Sequence, residues 1–341
     1  MKLIATAVLA GVALAASLPA QAQKKTQLTV SSWLPPTHAV VADFLVPWGE
    51  EITAATDGRV TLRILPKPVT NAPGHYDAVR DGLVDITFVS HAYYPGRFEL
   101  TKFAVMPFSG NTAESRSVAA WNTYEKYLLG ANEHEGVRLL GMYAHGPGMV
   151  FTTDKSVAKI EDFQGLKIRV GGGMAADVAK AVGVSPIAKP APESYELLST
   201  GVVDGVFFPA ESLVSFKLDT VIENVTIFPG GLYSDTHAVI MNEDAFKRLS
   251  EEDRAAILKV SGSHLASLAG RAWDKHDAVA HKLLDGGSIK VIKADDALVQ
   301  AVRERTKSFE QTWLDAAAAK GLDGPAALAA FRTEIKELDS K

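Results

Sequence analysis

Apolar residues along this chain recur at two spacings, a period of two and a period near 3.6, and the two kinds of segment follow one another in turn. Gln27 to Ser32 predicts a strand, stopped by Trp33-Leu34-Pro35-Pro36-Thr37-His38. Val40 to Thr56 predicts a helix, with Val41, Phe44, Leu45, Trp48 and Ile52 on one face. Val60 to Leu65 is a strand, His75 to Asp81 a short helix closed by Gly82, and Ile86 to Val89 a strand that opens into Ser90-His91-Ala92-Tyr93-Tyr94. Strand, helix, strand, helix, strand implies a parallel sheet with helical crossovers.

The pattern then repeats. Glu114 to Leu129 reads as a helix and Val137 to Tyr143 as a strand. His145-Gly146-Pro147-Gly148 marks a crossing into a second unit, because a new strand, Met149 to Thr152, follows at once. That unit continues with strand Leu166 to Val170, helix Met174 to Val182, short helix Ser194 to Leu198, strand Val203 to Phe207, helix Glu211 to Leu218 and strand Val225 to Phe228. Pro229-Gly230-Gly231 marks a return crossing, and Thr236 to Met241 a strand rejoining the first sheet. Ser250, with acids in the turn after it, opens what reads as one helix to Leu284 with Leu258, Leu265, Leu268, Ala272, Val279 and Leu283 in a stripe. It would run about 50 Å, enough to lie along both units. Ile289 to Ile292 is a short strand, and Asp295 to Lys320 and Ala326 to Leu338 are surface helices.

Composition changes the picture at the N-terminus. Lys2, an apolar run from Leu3 to about Ala16 and Ala20-Gln21-Ala22 form a secretory signal peptide over residues 1–22, with an apolar core too short to span a membrane. Its removal takes the formal charge from -5 to about -6. The chain has no cysteine, so it lacks both disulfides and the acylated cysteine of a lipoprotein, which fits a soluble periplasmic protein. The mild acidity gives no support for nucleic-acid binding. No Gly-x-Ser-x-Gly elbow, His-Glu-x-x-His pair or Walker loop occurs, and Gly171-Gly172-Gly173 lacks the third spaced glycine of a dinucleotide fingerprint. Asn132-Glu133-His134-Glu135 reads as a solvated loop. No catalytic residue, cofactor or metal site is expected.

One residue carries chemistry. Arg169 ends the alternating strand Leu166 to Val170 just before three glycines, and the C-terminal ends of strands in open α/β sheets are where ligands sit. Its planar guanidinium matches a carboxylate with two parallel hydrogen bonds; a structural arginine paired with an acid is the alternative.

Several segments, taken in order, resemble the DctP-type substrate-binding proteins of TRAP (tripartite ATP-independent periplasmic) transporters. They are the Trp33-to-His38 loop, Asp81-Gly82-Leu83-Val84-Asp85-Ile86, Phe163-Gln164-Gly165-Leu166-Lys167-Ile168-Arg169-Val170, Ser194-Tyr195 through Thr200-Gly201-Val202-Val203-Asp204-Gly205, and Leu249-Ser250-Glu251-Glu252-Asp253-Arg254. The resemblance implies a two-lobed periplasmic binding-protein fold with strands exchanged between lobes and a long C-terminal helix spanning both. The expected division is residues 1–22 signal peptide, 23–147 and 235–285 lobe I, 148–234 lobe II, and 286–341 C-terminal helices packed on the lobes. It also implies delivery of an organic acid to a small and a large membrane subunit by a monomer or weak dimer, with the family's signature arginine falling on Arg169.

Sialic-acid-type members often carry a second arginine where this chain has Met149, Val150 and Phe151, and an asparagine where it has Phe208. Both changes trade polar contacts for apolar surface, at about 1–3 kcal/mol for each hydroxyl left unpaired. The expected ligand is therefore an aromatic or apolar monocarboxylate, with hydroxy and keto acids included. Trp33, His38, His91, Tyr94 (in competition with Tyr93), Val150 and Phe208 are the expected wall residues. Glu211 and Tyr233 join them, with Asp235 and His237 alternating after Tyr233. A dicarboxylate or sugar acid on the same scaffold, a sensor-only module and a periplasmic enzyme are the alternatives.

Overall fold

A computed structural model describes residues 25–340; the expected signal peptide lies outside them. The strands are β1 (Thr26–Ser31), β2 (Val60–Ile64), β3 (Ile86–Ser90), β4 (Val137–Ala144), β5 (Met149–Thr152), β6 (Lys167–Val170), β7 (Ser185–Ala188), β8 (Gly205–Phe208), β9 (Asn224–Ile227), β10 (Thr236–Asn242) and β11 (Lys290–Lys293). They form two sheets, ordered β2-β1-β3-β10-β4 and β11-β9-β5-β8-β6-β7. In the first, β1 runs parallel to β2 and β3, as the alternation of strands and helices requires, while β10 inserts antiparallel between β3 and β4. In the second, β6 is parallel to β7 and β8, and β5 is antiparallel to β8 and β9.

Two segments join the sheets: β4 runs into β5 and β9 into β10. They pair with each other, Gly148 N–H donating to Tyr233 O at 2.8 Å and Leu232 N–H to Gly148 O at 2.9 Å. A Cβ on Gly148 would stand 2.3 Å from the Tyr233 ring, so glycine is what allows the two crossings to touch.

The helix Gly262–Asp285 is the third link. Its Leu265, Ala269 and Trp273 pack into the core of the first sheet, with Phe44, Phe88 and Tyr143, whereas Ala280 and Leu284 pack with Phe151 and Val225 of the second. This corrects two expectations. The single helix Ser250 to Leu284 is two, Glu251–Lys259 and Gly262–Asp285. The break falls where Gly262 takes φ +59° and where the freed Val260 carbonyl accepts the Trp48 indole N–H at 2.8 Å. The stripe is also rotated: Leu258 and Val279 are exposed, and Gly270 faces inward. A Cβ on Gly270 would lie 2.4 Å from Glu114 Cα, so this helix and Ala113–Thr123 meet through small residues, which a count of large apolar side chains overlooks.

Smaller departures have local causes. The helix expected over Asp295 to Lys320 is Asp296–Thr306 and Ser308–Ala319, and the short strand after the long helix joins the second sheet beside β9. β7 has no counterpart among the expected strands; it contains Pro186 and lies at the edge of its sheet, where a missing N–H is tolerated. Among the described residues no helix is long and apolar enough to cross a membrane.

β8 starts at Gly205, under β5. A Cβ there would meet the Phe151 carbonyl oxygen at 2.2 Å and Ile168 Cδ1 at 2.9 Å. Gly205→Ala is expected to destabilise the protein by about 1–3 kcal/mol, through overpacking against backbone that cannot rotate away. Urea denaturation reads this as a lower midpoint at unchanged slope; an unchanged midpoint contradicts it.

Candidate functional site

The C-terminal ends of β1 and β3 face those of β6 and β8 across a small cavity of about 60 Å³. The two sides are closed on each other. Gly172, at φ +127° and ψ -153°, lies so near the loop after β3 that a Cβ would stand 2.3 Å from Ala92 O. Ala191 N–H donates to the Tyr93 hydroxyl at 2.9 Å, and Lys102 Nζ meets Asp177 Oδ2 at 3.0 Å.

Arg169 lies on this cavity and is 2 % exposed. Strand alternation puts it on the face shared with Phe208, opposite Ile168 and Val170, which pack into a different core. Its Nε and one terminal nitrogen both donate to the Lys189 carbonyl, at 2.9 and 2.6 Å. Its guanidinium lies 4.4 Å from the centre of the Phe208 ring. Burial lowers its pKa, partly offset by the Tyr93 and Tyr233 hydroxyls and by Asp235. It forms no ion pair with a carboxylate among the described residues. A buried cation whose direct hydrogen bonds go only to a carbonyl is poised for an anion from outside.

Aromatic rings make up much of the wall. Trp33 packs on Phe88 and Tyr93 at 5.0 and 5.5 Å between centroids, and Phe208 stacks on Phe216 at 5.6 Å. Tyr233 and Trp273 complete the lining of rings.

Two acids also lie on it, the buried Glu211 and the half-buried Asp235. Asp235 accepts from Ser90 Oγ and from the amides of Thr236 and Ala92, yet burial pushes its carboxyl up to about 7. Burial would raise Glu211 as well, but His38 and the hydroxyls of Ser215 and Ser212 outweigh it and hold the carboxyl below its usual range. The His38 tautomer is set by its neighbours. Nδ1 accepts from Val40 N–H at 3.2 Å, which leaves Nε2 to carry the proton toward Glu211 Oε1 at 3.5 Å.

Of the expected wall residues, Arg169, Phe208, Trp33, His38, Glu211 and Tyr233 line the cavity, as do Asp235 and His237. His91, Tyr94 and Val150 do not. A short 3₁₀ turn, His91–Tyr93, rotates successive side chains by about a third of a turn. It sends Tyr93 into the cleft and His91 into its own core. There His91 Nδ1 bonds Thr236 Oγ1 at 2.8 Å and its Nε2 bonds His134 Nε2 at 3.0 Å. His134 is thus buried against Phe98, whereas Asn132 and Glu135 of the same loop are exposed as expected. The Tyr94 hydroxyl accepts from Tyr76 N–H at 3.2 Å. Val150 pairs with Phe207 and shares its face of the sheet, away from Phe208. Residues that sequence reasoning missed include Trp273 and His145. Trp273 stands next to Ala272 of the expected stripe, and His145 sits in the crossing loop; no local pattern marks either one. Among the described residues no group of three or more His, Asp or Glu is placed to hold a metal ion.

With this geometry in view, comparisons with known proteins become informative. The family profile described as bacterial extracellular solute-binding protein, family 7 (DctP), matches residues 30–315. A protein of Comamonas testosteroni named outer membrane transporter protein TsaT is 30% identical, over 94% of this chain and 96% of that one. The crystal structure of a TRAP periplasmic solute-binding protein from Bordetella bronchiseptica, with bound (R)-mandelate and (S)-mandelate, is 78% identical; it superposes with a TM-score of 0.91 over 92% of this chain and 100% of its own. A TRAP solute-binding protein from an unidentified marine microbe, specific for aromatic acids and crystallised with 3-hydroxybenzoate, is 29% identical with a TM-score of 0.84, over 93% of this chain and 99% of its own.

Proposed function

Because this chain belongs to the DctP family of extracellular solute-binding proteins, the receptors of TRAP transporters, we propose that it captures an aromatic monocarboxylate in the periplasm through an ion pair with Arg169. The observation that carries this reading is a single buried guanidinium, paired with no acid, on a cavity walled largely by aromatic rings. The mandelate and 3-hydroxybenzoate bound by relatives belong to the same chemical class.

In this reading residues 1–22 export the chain. Residues 23–147 and 235–285 form one lobe and 148–234 the other, with 286–341 packed on both. The open lobes admit the acid, Arg169 takes its carboxylate, and the lobes close about the two crossings and the helix Gly262–Asp285. Closure excludes water and so strengthens the ion pair. The closed monomer then docks on the small and large membrane subunits. A dicarboxylate fits less well, because the wall carries the Glu211 and Asp235 carboxyls and Arg169 as its paired-with-nothing cation. A thermal-shift series tests the reading. Mandelate, benzoate and phenylacetate are expected to raise the melting temperature most; larger shifts with succinate or glucuronate contradict it.

The reading also sets a pH dependence. Asp235 titrates near 7 beside the cationic site, while an aromatic acid stays ionised throughout. Raising the pH through 7 puts a second negative charge on the cavity wall, and affinity is expected to fall between pH 6 and 8.5. Asp235→Asn should flatten that slope in calorimetric titrations; an equal slope in both proteins rules Asp235 out as its origin.

A further inference from the structure

Away from Arg169, the cavity wall carries unused hydrogen-bonding capacity on Trp273 and His145. The Trp273 indole N–H is fully buried and has no hydrogen-bond partner. Indole can only donate, so a buried orphan of this kind is a cost unless something arrives to accept from it. Next to it, His145 is 5 % exposed, and its Nδ1 lies 2.6 Å from the Gly146 carbonyl. A carbonyl can only accept, so Nδ1 carries the proton and Nε2 is the ring's free acceptor. Burial keeps that ring neutral, its pKa down at about 4. Both residues line the cavity, and their rings are neighbours, with centroids 5.8 Å apart and planes tilted by 48°.

An unpaired donor and a free acceptor on neighbouring rings of one wall match a hydroxyl group, which accepts through a lone pair and donates through its proton. A bare aromatic ring satisfies neither. A carboxylate satisfies only the indole and would face the buried Glu211 carboxylate on the same wall. We infer that Trp273 and His145 form a hydroxyl subsite, so that the protein selects hydroxylated aromatic acids over their deoxy counterparts. The inference rests on the aromatic-acid reading above and adds a substrate subclass to it. The hydroxyl belongs either to the carbon next to the carboxylate or to the ring.

Isothermal titration of the full-length mature protein with matched ligands separates these sources. Mandelate, as each enantiomer, differs from phenylacetate only by the α-hydroxyl; 3- and 4-hydroxyphenylacetate differ from it only by a ring hydroxyl. At least one hydroxylated ligand is expected to bind about tenfold or more tighter than phenylacetate, and the series that wins locates the hydroxyl. In Trp273→Phe and in His145→Phe that ratio should drop to about twofold or less. If phenylacetate binds the wild type as tightly as every hydroxylated ligand, or if the ratio survives both substitutions, the subsite is overturned while the aromatic-acid reading stands. If no aromatic acid binds, both fall. Should either variant fail to fold, the wild-type ratio still decides.

Discussion

Arg169→Ala is expected to bind aromatic acids about 2–5 kcal/mol more weakly than the wild type, a loss on the order of thirtyfold to several-thousandfold. The size follows from burial. The proposed pair would form at a 2 % exposed guanidinium, and without it a ligand carboxylate enters a cavity where Glu211, joined by Asp235 as the pH rises through 7, repels it. Arg169→Lys should recover little, because a lysine ammonium keeps the charge but not the fork that holds both the Lys189 carbonyl and the ligand. The unliganded protein should behave differently. Its buried guanidinium hydrogen-bonds only to the neutral Lys189 carbonyl, so Arg169→Met relieves desolvation and is expected to melt at or above the wild-type temperature. Calorimetric affinity and the melting temperatures with and without ligand check both halves. Unchanged affinity in Arg169→Ala would sink the ion-pair mechanism, and a large loss of unliganded stability would make the arginine chiefly structural.

Gly172→Ala should cost nearly as much without touching a binding group. Gly172 holds φ +127° with ψ -153°, a region other residues enter at about 1–3 kcal/mol, and its missing Cβ is where the Ala92 carbonyl oxygen sits, 2.3 Å away, in the closed arrangement. A backbone oxygen cannot rotate aside as a side chain can. The two costs together predict a loss of affinity on the order of a hundredfold, because the lobes no longer close over the ligand. Gly171→Ala is the contrast: its Cβ would meet Ala92 Cβ at an ordinary 3.5 Å, and a much smaller loss is expected. X-ray scattering should show ligand-induced compaction in the wild type and none in Gly172→Ala. Normal compaction in the variant would remove this contact as the limit on closure.

Both predictions concern residues already conspicuous in the chain, and the reason is local. Alternation over Leu166 to Val170 set the face and the strand end of Arg169, and the three glycines after it marked where the strand opens into a loop. Phe208 came from the family resemblance, as the place where sialic-acid-type members carry an asparagine, and the prolines after β1 marked the Trp33 loop. Where the backbone leaves regular dihedrals the argument stops. His91, Tyr93 and Tyr94 are adjacent, and only the 3₁₀ turn decides which one enters the cleft. Val150 is an apolar residue in a strand, and the register β5 takes against β8 sends it to the far face.

By itself, the sequence determined the order of elements, the two crossings, the parallel start of the first sheet and the place of Arg169 at a strand end, because each is written within a few residues as a period, a turn or a charge. Tertiary structure alone decided how the long helix is cut and rotated, since the inward face of Gly270 and the break at Gly262 depend on Glu114, Trp48 and Trp121, far away in the chain. It alone decided the identity of the cavity's second polar group as well. Trp273 and His145 are separated by more than a hundred residues, and a donor and an acceptor become a recognition site only when packing brings them to one wall and leaves both unpaired.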